Sequence, residues 1–132
     1  MLNKALKKAK ENKKGFTLAE LLIVVAIIAV LVAISIPIFS SQLEKSREAV
    51  DAANIRAAYA EIMADGITGN ITADMSKYNV TLKQQKEGWQ TAFDFPANLA
   101  EGTTEPNQNT VCTFTWDANA QQAKASIVLK KK

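Results

Sequence analysis

The 132-residue sequence predicts an α+β chain: one long N-terminal α-helix, apolar and then amphipathic, packed on a small C-terminal antiparallel β-sheet. Three observations lead there. Residues 21–43 are 23 consecutive positions without a formal charge. Residues 42–65 continue with no Gly or Pro and with many alanines, a composition of high helix propensity. Beyond residue 70 the pattern changes to short, turn-bounded stretches whose apolar residues alternate, the period of a strand.

The chain opens with a basic leader. Residues 1–15 hold six Lys against one Glu, a charge of +5, whereas the whole chain carries +3. The basic surplus therefore belongs to the leader and not to a nucleic-acid surface on the folded part. The leader runs through Lys13-Lys14-Gly15-Phe16-Thr17-Leu18-Ala19-Glu20 straight into the apolar run. A carboxylate just inside such a boundary is costly, about 2.5–3.5 kcal/mol at the centre of a membrane helix and less near its end. Glu20 therefore calls for a partner.

As a helix, residues 21–43 span about 35 Å, enough for one membrane pass. Lysines flank its N-terminal side and both signs of charge follow it, which puts the N-terminus in the cytoplasm and the C-terminal region outside. Pro37 lacks an amide donor and crowds the carbonyl of Ala33, so the helix is expected to kink or loosen over residues 33–37. Ser35 can cover a freed carbonyl.

In residues 42–65, Ile55, Tyr59, Ile62 and Met63 mark an apolar face at helical spacing. Glu44 with Arg47, and Arg47 with Asp51, can pair across a turn, and these charges read as a solvated face. Asp65-Gly66 and Thr68-Gly69-Asn70 stop the helix. Residues 71–88 form a connection with one short strand at 80–82. Residues 89–95 read as a strand ending at Pro96, 101–109 as a surface loop, and 111–116 as a strand with Cys112, Phe114 and Trp116 on one face. A turn at 117–122 leads to a returning strand at 123–129. Phe93, Phe95, Phe114, Trp116, Ile127 and Leu129 are the candidate core, closed by the amphipathic helix face because so small a sheet cannot bury itself.

Composition argues against chemistry. Cys112 is the single cysteine, so no intramolecular disulfide forms, and no basic neighbour in sequence activates its thiol. With no histidine and no carboxylates at ligand spacing, there is no metal site. There is no nucleophile–base set and no phosphate-binding glycine loop, hence no catalytic residues, no cofactor and no enzyme. Asp94 and Glu101 sit on turns. The tail Lys130 to Lys132 reads as a solvated end.

Residues 15–22, Gly-Phe-Thr-Leu-Ala-Glu-Leu-Leu, resemble the prepilin processing site of type IV pilins and pseudopilins. The resemblance implies cleavage by a prepilin peptidase after Gly15, with residues 1–15 removed, and methylation of the new N-terminus at Phe16. Glu20 becomes the fifth mature residue, and Pro37 falls where many pilins carry a helix-loosening proline. It also implies the pilin fold, with residues 16–43 as the membrane and filament-core half of the helix and 44–132 as the globular domain. The partners implied are other pilin subunits in a homopolymer, the peptidase and the pilus assembly machinery. The locations implied are the cytoplasmic membrane for the precursor and a surface filament afterwards, serving adhesion, twitching motility or DNA uptake. In that setting Glu20 pairs with the Phe16 amine of an adjacent subunit, and its presence favours a main structural subunit.

The N-terminal features are shared with pseudopilins of type II secretion or competence systems. Two further readings stand beside these: a membrane-anchored or secreted binding module, and a secretory signal with residues 21–32 as its apolar core and Ala33-Ile34-Ser35 as its cleavage site. The second would discard the first half of the helix.

Overall fold

The computed structural model describes residues 17–132. The leader 1–15, with Gly15, and the adjoining Phe16 lie outside the described residues. The chain parts into two compact units, with the division between Ser40 and Ser41. Both contain stretches of a single helix, α1, Leu18–Thr68, 51 residues long.

In the first unit α1 is apolar on every side. Its large side chains are open to the surroundings, Leu22 at 63% and Phe39 at 67% exposure. A helix apolar all round needs a nonaqueous neighbour, and α1 is long and apolar enough to cross a membrane. The expected loosening at residues 33–37 does not interrupt it: helical structure runs through Pro37. One missing amide leaves the ladder on either side intact; the Ser35 hydroxyl donates to the Leu31 carbonyl at 2.6 Å, and not to that of Ala33, which Pro37 leaves without its amide.

In the second unit α1 becomes amphipathic as its sequence demands. Ala52, Ile55, Ala58 and Ile62 recur at three- and four-residue steps and are all buried, with Tyr59 packed beside them. The helix stops one turn later than the first glycine. Gly69 takes φ +73°, the Asn70 amide donates to the Asp65 carbonyl at 2.8 Å, and the Gly69 amide donates to the Gly66 carbonyl at 3.3 Å. These two bonds close the last turn on a left-handed glycine. Gly66 lies inside the helix, and Trp116 requires a glycine there: a Cβ would lie 2.5 Å from the indole Cζ2.

Five short strands follow: β1 (Val80–Thr81), β2 (Leu99–Ala100), β3 (Val111–Cys112), β4 (Phe114–Asp117) and β5 (Gln122–Ala125). β1 pairs antiparallel with β3, with Val80 opposite Cys112. The second sheet has the order β2-β5-β4. It is mixed and not purely antiparallel, since β4 and β5 form a hairpin while β2 runs parallel to β5. The expected strand at 111–116 exists as β3 and β4 with the anticipated faces: Cys112 and Phe114 are buried, Trp116 is half-buried, and Thr113 and Thr115 are exposed.

Two expectations fail. Residues 89–95 are not a strand, because the Gln90 and Thr91 amides go to the carboxylate of Glu48 on α1 and no ladder receives them. The loop at 101–109 is partly structured: Gly102 donates to the Ile127 carbonyl and Val128 to that of Thr104, both at 2.8 Å. Phe114, Ile127 and Leu129 are core residues, and Phe93, Phe95 and Trp116 pack against them half-buried.

Gly66→Ala tests the helix–sheet contact. Helix propensity alone favours alanine by about 1 kcal/mol, but the clash with Trp116 should reverse the sign and cost roughly 1–3 kcal/mol. The check is a lowered urea midpoint of the detergent-solubilised chain, followed by tryptophan fluorescence. An unchanged or raised midpoint would refute the contact.

Candidate functional site

The start of α1 is built by two residues of the motif. The Glu20 amide donates to the Thr17 hydroxyl at 3.2 Å, and the Thr17 amide donates to Glu20 Oε2 at 2.9 Å. This reciprocal capping box satisfies two otherwise unpartnered donors of the first turn. Glu20 is therefore held by its own chain. Cleavage between Gly15 and Phe16 would not disturb this, because the Thr17 amide belongs to the next peptide bond. Glu20 lies at the beginning of the exposed apolar stretch and Pro37 near its end; the structure does not bring them together. Gly15 and Phe16 lie outside the described residues.

A second constellation was hidden in charges that looked solvated. Glu44, Glu48 and Asp51 are 3%, 0% and 0% exposed. All three accept hydrogen bonds from backbone amides of residues 83–91. Asp51 takes Lys83 at 2.7 Å and Gln84 at 2.9 Å, Glu44 takes Gln85 and Lys86, both at 3.0 Å, and Glu48 takes Gln90 and Thr91. The solvated-face expectation is thus wrong for these acids. Arg47 does pair with Glu44, at 3.5 Å, whereas Asp51 is occupied by amides. The clue was in the spacing: 44, 48 and 51 extend the stripe of 55, 58 and 62, the face that α1 buries. Acids were passed over there because burial is ordinarily read from apolar residues.

The carboxylate clasp replaces a ladder for a segment that forms none. Gln84, fully buried, adds its own grip, its amide nitrogen donating to the Gly88 carbonyl at 2.9 Å. Burial pushes the Glu48 and Asp51 carboxyls above their ordinary values of 4.5 and 3.8, and neighbouring Glu44 adds to both shifts, while the amide bonds oppose them. Glu48 Oε2 and the Thr91 hydroxyl are buried with no hydrogen-bond partner. Beyond the clasp, Asp65 accepts from the Tyr78 hydroxyl and from Lys77 at 3.0 Å, and these donors, Tyr78 first, hold its carboxyl below the ordinary range.

The remaining chemistry is structural. Arg56 donates to the Asp94 carbonyl at 2.9 Å and lies 5.4 Å from the Phe95 ring centre, with Phe93 and Phe95 packed around Trp89. Cys112 is buried, and burial pushes its thiol up to about 11. The tail lysines are solvated as expected, with surface ion pairs from Lys130 to Glu101 at 3.6 Å and from Lys132 to Glu105. Among the described residues, no group of His, Cys, Asp and Glu is placed to hold a metal ion.

An exposed apolar helix of membrane-crossing length, with a capped acidic start, thus precedes a compact α+β unit. Residues 10–36 match the family model described as the prokaryotic N-terminal methylation motif. The match covers residues 10–36 alone, a likeness of this segment to the start of type IV pilin-like and pseudopilin-like prepilins. No curated protein and no solved structure matches the chain.

The clasp sets a pH dependence. Glu48 and Asp51 bind protons more tightly folded than unfolded, so their contribution to stability is greatest below the unfolded values and falls as pH rises through the folded ones. Asp65 acts in the opposite sense, losing its contribution only as pH falls below the carboxyl range. Stability should therefore rise as pH falls from 7 towards the ordinary carboxyl range. Glu48→Gln, which keeps an acceptor for Gln90 and Thr91, should flatten that rise without lowering stability at pH 7. Thermal melts across the range check both; a parent and variant with identical slopes would refute it.

Proposed function

We propose that this chain is the structural subunit of a type IV pilus: a precursor cleaved after Gly15, methylated at Phe16, stored by one membrane pass and polymerised into a surface filament. The observation that carries this reading is the methylation motif on residues 10–36, lying across the start of a helix whose apolar stretch is fully exposed. Moving that stretch from lipid into a bundle of identical helices exchanges one apolar surrounding for another, so it supplies little net driving force. Polar contacts then set the register. In this reading cleavage creates an amine at Phe16, four residues before Glu20 in the chain, and the Glu20 of an incoming subunit pairs with the Phe16 amine of its neighbour. The capping box keeps Glu20 partnered until then and leaves its second oxygen for the amine. Pro37 lets the helix adjust within the filament. The prepilin peptidase and the assembly machinery are the partners that this route requires.

The N-terminal residues serve a pseudopilus equally well, and the length of the fibre separates the two. Mass spectrometry of the mature chain should find methylated Phe16 at its N-terminus, and electron microscopy of sheared surface material should find long filaments. Glu20→Ala should leave cleavage intact and reduce filaments at least tenfold; normal filament yield from processed Glu20→Ala subunits would sink the pairing. Pro37→Ala should alter filament extensibility under load, and an identical force response would remove Pro37 from the assembly role.

A further inference from the structure

We propose that Lys45, Lys83 and Lys86 form a docking surface for anionic lipid headgroups, used while the subunit is stored in the membrane. The inference rests on the membrane-stored reading above and adds a partner to it.

In sequence, the stretch after the apolar run carries both signs of charge. In the folded unit the signs separate. Glu44, Glu48 and Asp51 turn inward to the clasp, while Lys45, Lys83 and Lys86 are exposed. The ion pairs among the described residues engage Arg47, Lys77, Lys130 and Lys132, and none of these three lysines. Arg47 is half-committed to Glu44, and Glu87 is the exposed acid on the same loop. The exposed charges here are the three lysines against Glu87, with the carboxylates of Glu44, Glu48 and Asp51 buried behind them and Lys83 acting on that of Asp51.

The clasp also fixes where these cations stand. The Lys86 amide donates to Glu44 at 3.0 Å, and Glu44 directly follows Leu43, the last residue of the uncharged run. Lys45 is two residues past that end. Lys83, whose amide is held by Asp51 at 2.7 Å, lies about 10 Å further along the helix, within reach of a long, flexible side chain. With Leu43 at the bilayer edge, Lys45 follows two residues on in the chain and Lys86 is tied to Glu44, so both stand next to the headgroups, and Lys83 can extend towards them. Lysine binds phosphate there as a point charge, and each such lysine strengthens association with an anionic surface about fivefold.

The test uses the full chain reconstituted in phosphatidylcholine vesicles with and without one third phosphatidylglycerol, both carrying dansyl-headgroup lipid. Energy transfer from the tryptophans, of which Trp89 sits on the clasped loop, reports proximity to the headgroups, and protease protection reports insertion. Phosphatidylglycerol should raise transfer, 0.5 M salt should abolish the rise, and Lys45→Gln/Lys83→Gln/Lys86→Gln should require at least threefold more phosphatidylglycerol for the same effect. The leader is identical in parent and variant, so its lysines cancel. Single substitutions at Lys83 and Lys86 with unchanged melting curves guard against misfolding. Insertion with equal transfer in both vesicle types would overturn the docking alone. Failure to insert in either would overturn the membrane reading and the docking with it. A DNA oligonucleotide that binds the parent on neutral vesicles, with no response to phosphatidylglycerol, would assign the lysines to nucleic acid instead.

Discussion

The globular unit depends on three acids that accept amides. Residues 83–91 have no strand to pair with, yet a buried backbone donor without a partner costs about 1–3 kcal/mol. Glu44, Glu48 and Asp51 answer six such donors from one helix face. Charge-assisted bonds are the stronger kind, and this arrangement trades ladder hydrogen bonds for helix-borne ones. It also explains why so little regular strand suffices for a stable unit: the helix acts as the missing sheet edge.

The two stretches of α1 solve opposite problems with one secondary structure. Between Leu21 and Phe39 every side is apolar and exposed, so burial must come from outside the chain. From Ser41 the same rotation per residue sorts apolar and acidic residues onto a single inward stripe. The switch needs no loop, which is why the sequence carries no turn signal between them.

Much of the fold was legible. The helix, its glycine stop, the β4–β5 hairpin and the face of Cys112 and Phe114 followed from periodicity and from turn residues. The capped start was not anticipated: Thr17 and Glu20 stand at capping-box spacing, but Glu20 was assigned only the amine of a neighbour. What escaped shares one cause. Residues 89–95 alternate like a strand, but their amides are claimed by Glu48, a residue over forty positions away. Residues 102–104 look like loop, yet lie beside 126–128 in parallel register. Local pattern reports which faces are apolar; it does not report which distant acceptor takes a given amide. The candidate site divides in the same way, the residues proposed for processing and assembly being local motif and the clasp being tertiary.

Cys112 is buried with its thiol pushed up to about 11, and the sequence has no second cysteine. At neutral pH almost none of it is thiolate, and reagents cannot reach it. A cysteine placed on the exterior, on the β4–β5 turn for instance, would thus react with maleimide dyes without competition. The natural chain comes ready for single-point labelling, its one sulfhydryl silent.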